Sequence, residues 1–183
     1  MKYWKCRDLG DIKEFLCMNI CQEQHKIFIT QTAYLDKVLK RFNMFNAQVA
    51  LTPLPEGYQP MPYKGTIDQE QQSKFQSVIG SLLYIMLGTH PDIAYAVTCL
   101  LQCSVNPSKE HLDKTLYIYC YLAGTRDYTL IYDGTSNQGL KGYTNANWGS
   151  NPSTRCSTTR FFFLLAKDII SWRSRCHMTE NNH

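Results

Sequence analysis

The chain has 183 residues, enough to bury a sizeable core as one domain or as two small ones, and its 44% hydrophobic and 19% charged residues are ordinary for a globular protein. A net charge of +4 permits a polyanionic partner but lacks the basic concentration of a dedicated nucleic-acid module. No run approaches the ~18 apolar residues of a membrane span, and MKYWKCRDLGDIKEF has no signal-peptide core, which predicts an intracellular protein (cytoplasm or nucleus) with no membrane partner.

In chain order, EFLCMNI alternates in character, CQEQHK is a polar break and KIFITQ is a second β-branched and aromatic run. Together they predict a hairpin, residues 15–20 with 27–30. Thr30 or Gln31 then opens a helix to about Met44, with Tyr34, Leu35, Val38, Leu39 and Phe42 on its apolar side and Lys37, Lys40 and Arg41 on the other. Residues 52–66, TPLPEGYQPMPYKGT, hold four of the seven prolines and mark a linker or extended surface loop, the first structural boundary.

Three helices follow. Phe75, Val78, Ile79, Leu82, Leu83 and Met86 keep helical spacing up to Gly88. In THPD, Thr89 is a cap candidate ahead of Pro91, with Asp92 in the first turn and Ile93, Val97, Leu100 and Leu101 as the apolar face. Asn106 and Pro107 repeat that start signal as N-cap and first helical residue, and Leu112, Leu116, Tyr119 and Ala123 carry the helix to Gly124. Short turns predict antiparallel packing in a compact helical unit. After YDGTSNQG the period changes to alternation, so 140–144, 160–166 and 169–174 are predicted strands, the last two joined by a turn at Lys167–Asp168. Three strands without a covering layer leave one sheet face needing a partner, and residues 161–165 are expected to be exposed and to favour self-association. The predicted class is α+β: an N-terminal β-hairpin, a helical unit and a C-terminal three-stranded antiparallel sheet.

Eight cysteines form no CxxC pair, Cys99 and Cys103 fall in an apolar helical pattern, and the five histidines are scattered. Reduced, mostly buried thiols are expected rather than a disulfide framework or a zinc site.

RDLGDIKEFL, ITQTAYLDKVLKRFNM, VIGSLLYIMLGTHPDIAYAV, NPSKEHLDKTLYIYCYLAGT, GYTNANWGS, STRCSTTRFFFLL and IISWRSR occur in this order along residues 7–175. Together they resemble the back half of a copia-type retrotransposon Pol polyprotein, from just past the reverse transcriptase active site into ribonuclease H. The resemblance implies three regions: residues 1–60 as the end of the palm hairpin and a thumb-type helix, 61–135 as helical thumb and connection, and 136–183 as an incomplete ribonuclease H-like domain. It implies the activities of an RNA-directed DNA polymerase and a ribonuclease H, with magnesium as the ion of an intact member and none expected for this chain.

The catalytic residues of that pattern are missing. No Asp-Asp pair occurs anywhere in the sequence. Two-metal phosphoryl transfer needs clustered carboxylates to hold ions about 4 Å apart. Tyr143-Thr144-Asn145-Ala146-Asn147-Trp148 stands where the family resembles Y-S-D-A-D-W, so the resemblance makes Asn145 a degenerate metal-ligand position. A neutral amide supplies no charge to offset a divalent cation. The resemblance also places glycine and glutamate where Cys17 and Asn19 stand, and arginine where His90 stands. Lys37, Lys40, Arg41, Arg155 and Arg173 are the candidate contacts to an RNA–DNA hybrid or other nucleic acid, as phosphate binding needs only positive charge suitably placed. The competing reading of each is a solvated surface charge. The expected function is a degenerate Pol fragment without catalysis of its own. The alternatives are a repurposed nucleic-acid-binding or protein-interaction module and, with less support, an effector-like protein.

Overall fold

A computed structural model describes residue 7 and residues 10–147 and 157–177. Strands β1 (Glu14–Phe15), β2 (Met18–Glu23) and β3 (Lys26–Thr30) form an antiparallel meander. The predicted strand 15–20 is split: Leu16 and Cys17 both have positive φ, 49° and 55°, and make a two-residue hairpin turn. The predicted break after Ile20 is part of β2, which continues to Glu23. A strand absent from the sequence reading, β4 (Leu130–Asp133), pairs with β3 from Ile29↔Leu130 to Lys26↔Asp133 and completes a four-stranded sheet in the order β1-β2-β3-β4. Four residues are too short to announce a strand, and the partner lies about a hundred positions upstream.

Helices α1 (Thr32–Arg41), α2 (Gln69–Gly88), α3 (Ala94–Leu101) and α4 (Lys109–Gly124) make the core, with a 3-10 turn at Pro91–Ile93 leading into α3. Leu35 and Leu39 of α1 join Phe75, Leu82, Ile85, Leu100, Ile118 and Leu122 in complete burial. Each such side chain contributes roughly 1.5–3 kcal/mol. Leu54, from the proline-rich stretch, is buried in the same cluster and ties that loop to the helices. Two predicted caps move. Thr89 closes α2 instead of opening the next helix, and Ser108, not Asn106, caps α4 in a reciprocal pair with His111.

The second sheet, β5 (Lys141–Asn147), β6 (Ser157–Leu165) and β7 (Asp168–His177), is antiparallel in the order β5-β6-β7. Its hairpin turn is at Ala166–Lys167, both with positive φ, one residue earlier than expected. Trp172 docks one face on the helices, its indole Nε1 donating to Met86 O at 3.0 Å. The apolar residues of β6 stay partly uncovered: Phe162 and Phe163 are each 38% exposed and Leu165 44%. The β6–β7 turn also clasps β4. Asp133 N donates to Ala166 O at 3.0 Å, Lys167 Nζ meets Asp133 Oδ2 at 2.9 Å, and Ile131 N donates to the Asp168 carboxylate. No helix among the described residues is long and apolar enough to cross a membrane.

The described cysteines are unpaired, but Cys17 and Cys21 are exposed and Cys99, Cys103 and Cys120 only half-buried, against the expectation of mostly buried thiols. The β-turn and edge positions of Cys17 and Cys21 explain their exposure.

Candidate functional site

Helix α1 owes its direction to Leu35, Val38 and Leu39, which bury one face and turn Lys37, Lys40 and Arg41 outward. These three are spaced i, i+3, i+4 and share a face. Their surroundings differ. Lys37 is exposed. The Lys40 ammonium lies 4.9 Å from the centre of the Phe45 ring, and the Arg41 guanidinium stacks on Phe42 at 5.1 Å while donating to Ser77 Oγ at 2.9 Å. Sequence reasoning missed Arg126, which the fold carries to the other contact on Phe45, at 4.9 Å, beside Asp36 at 3.6 Å. Nothing local to Arg126 signals this, because α1 and the end of α4 meet only in the tertiary structure. The outcome is a basic patch on a rigid element, with two of its cations oriented by one aromatic ring.

The second location surrounds Asn145. In β5 this residue is exposed and directly opposite Arg160 of β6. The Arg160 guanidinium is held 3.9 Å from the centre of the Tyr95 ring on α3. A cleft of about 510 Å³ opens between this sheet face and the Pro91–Ile93 turn, bordered by Tyr95, Tyr143, Asn145, Arg160, Phe162 and Trp172. Tyr143 and Phe162 stack across the strands at 4.8 Å and 16°. Asp92 borders the cleft too, with Oδ2 accepting from Tyr121 OH at 2.7 Å.

A magnesium pair does not fit this position. One neutral amide faces a fixed guanidinium, and among the described residues no three His, Cys, Asp or Glu side chains are placed to hold an ion. Divalent cations need several anionic oxygens and are repelled by a neighbouring cation. Asp168, at the start of β7, accepts from Ile131 N and Ile169 N at the clasp with β4.

Arg173 is on β7 opposite Phe161, adjacent in sequence to the inward-docked Trp172, and therefore projects from the other face of the sheet. The structure does not bring it together with Lys37, Lys40 and Arg41. Arg155 lies outside the described residues, as does Trp148. Cys99 and Cys103 are half-buried, and burial pushes the Cys103 thiol up to about 11, so it is held protonated. His111 Nε2 is 3.7 Å from Cys103 Sγ, while its Nδ1 is committed to the Ser108 cap.

A family model described as reverse transcriptase (RNA-dependent DNA polymerase) matches residues 1–56. The chain is 36% identical over 182 residues to the retrovirus-related Pol polyprotein from transposon TNT 1-94 of Nicotiana tabacum, covering 95% of this chain and 14% of that one. It is 31% identical to the uncharacterized mitochondrial protein AtMg00810 of Arabidopsis thaliana, over 92% of this chain and 69% of that protein. Transposon RE1 of Arabidopsis thaliana encodes a retrovirus-related Pol polyprotein 29% identical over 92% of this chain and 11% of its own length. No solved structure matches the chain significantly.

These similarities define the class, a retroelement Pol sequence whose residues 1–56 match a reverse transcriptase family. The chain belongs to the copia-type retrotransposon Pol family and is a degenerate segment of that polyprotein. It spans about one seventh of the TNT 1-94 polyprotein.

Proposed function

We propose that this segment has no phosphoryl-transfer activity of its own and that what it retains is the nucleic-acid-gripping frame of a Pol protein. Residues 1–60 correspond in this reading to the end of the palm and a thumb-type helix, 61–135 to thumb and connection, and 136–183 to part of a ribonuclease H-like domain. The observation that carries it is the Asn145–Arg160 pair, an uncharged group facing a cation that Tyr95 holds in place. Restoring the carboxylate alone therefore leaves Arg160 opposed to metal binding.

The test is incubation of the full chain with a labelled RNA–DNA hybrid and magnesium or manganese. No cleavage is expected from the chain or from Asn145→Asp. Metal-dependent cleavage lost in Asn145→Ala overturns the proposal. Retained grip is read from salt-dependent binding of the same hybrid. Lys37→Glu with Lys40→Glu is expected to weaken it and to reduce the salt slope by roughly one to two. A salt-independent interaction unaffected by that pair contradicts a phosphate-gripping role.

A further inference from the structure

Ser108 N donates to His111 Nδ1 at 3.0 Å and Ser108 Oγ accepts from His111 N at 3.2 Å, and these two bonds close the first turn of α4. The usual form of this cap has Glu or Gln where His111 stands. A backbone N–H only donates, so Nδ1 carries a lone pair and the ring proton is on Nε2. There it faces Cys103 Sγ at 3.7 Å and the backbone of Met61. His111 is 2% exposed, so water does not take over either bond. His90 is buried too, but its Nδ1 meets the Thr89 hydroxyl, which donates to Gln31 Oε1 while accepting from the ring. A second proton breaks no bond of His90.

We infer that His111 is an acid-sensitive latch on the start of α4: a second ring proton turns Nδ1 from acceptor to donor, sets it donor to donor against Ser108 N, and opens the first turn. The added charge also falls at a helix N-terminus, where the backbone dipoles already present positive charge. Burial disfavours the charged ring and lowers its pKa, while Glu110 on the same turn and the Met61 backbone oppose in part. The open turn therefore takes the proton more readily than the closed one. Closure is favoured above the ordinary histidine range and lost as pH falls through it. The other elements around the ring supply no competing titration in that range. Cys103, after α3, is held protonated by burial. Tyr58, from the proline-rich loop, is kept neutral by burial and by Glu110, with the Lys114 ammonium over its ring at 5.3 Å. From α2, Gln71 Nε2 donates to Pro107 O and Gln72 Nε2 to Val105 O, each at 2.6 Å. Neither glutamine titrates, so the opening stays within the turn and α4 remains attached to α2.

Amide hydrogen exchange of the full chain, corrected for the intrinsic rate at each pH, tests the latch at the amides it holds. These are Ser108, His111 and Leu112, the last donating to Ser108 O at 3.2 Å. Between pH 7.5 and 5.0 their protection should fall roughly tenfold or more, as for an open turn that binds a proton near pH 6.5 when the closed one does not. His111→Gln keeps an acceptor for Ser108 N without the titration, so protection should stay nearly constant. His90→Gln should leave the wild-type loss in place. The ring 15N shifts of His111 supply a readout that needs no variant: at pH 7.5 the proton should be on Nε2. Protection at the three amides unchanged by acid, a loss that persists in His111→Gln or disappears in His90→Gln, or a proton on Nδ1 at pH 7.5 would each overturn the latch.

Discussion

Cys17 has φ 55° in a two-residue turn, a backbone conformation that favours glycine. A side chain in the left-handed region costs roughly 1–2 kcal/mol, partly offset by the greater chain entropy of glycine. Cys17→Gly is therefore expected to raise stability by up to about 1 kcal/mol, read as a higher denaturation midpoint in urea. Gly88 is constrained in the opposite way. A Cβ there would lie 2.3 Å from Gln31 Oε1, and Gln31 is buried with its amide accepting from the Thr89 hydroxyl at 3.0 Å. Gly88→Ala is expected to cost about 1–3 kcal/mol in the same assay. Thr89 also meets His90 Nδ1 at 2.9 Å, and burial lowers the His90 pKa from its ordinary 6.5, the Asp92 carboxylate opposing in part. The unfolded chain binds a proton near pH 6.5 that the folded chain resists. Stability is then complete above about 6.5 and declines as pH falls below it. Burial gives His111 the same sign. The melting temperature should drop between pH 7.5 and 5.5, and by less in His90→Gln.

At the scale of elements, α4 begins from a reciprocal cap: Ser108 Oγ accepts from His111 N at 3.2 Å and Ser108 N donates to His111 Nδ1 at 3.0 Å. Ser108→Ala should cost about 1 kcal/mol, whereas Asn106, whose amide donates to Tyr63 O and Gly65 O, serves the preceding loop. The clasp between β4 and the β6–β7 hairpin depends on Asp133. Bonds from Thr135 and Lys167 hold its carboxyl well below the ordinary 3.8. A depressed carboxylate stabilises the fold above about 3.8 and loses that contribution as pH falls further. Acid therefore acts in two windows, the histidines first and the clasp second. Asp133→Asn is expected to remove the lower one in a pH series of denaturation midpoints.

Across the whole molecule, the second sheet is joined to the helical core by the Trp172 indole and the Arg160–Tyr95 stack and to the first sheet by the Asp133 clasp, while residues 137–140 run exposed and without regular structure between the two sheets. Brief proteolysis should cut first in 137–140. Uniform protection along the chain would contradict that expectation.

Much of the fold was legible because periodicity is a local property. Leu35, Val38 and Leu39, the run from Phe75 to Met86, and the alternation in 160–166 and 169–174 each declare which face must leave water. Pairing across long separations was not legible. β4 is a strand because β3 lies beside it, Arg126 joins the basic face of α1 because both approach Phe45, and Arg160 confronts Asn145 because register sets strand neighbours. The sequence by itself determined the helices and the class, since these reside in residue type and spacing. Only the tertiary structure decided which cations share a ring and which opposes Asn145, since hydrogen-bond pairing and electrostatics depend on distances that chain order does not contain.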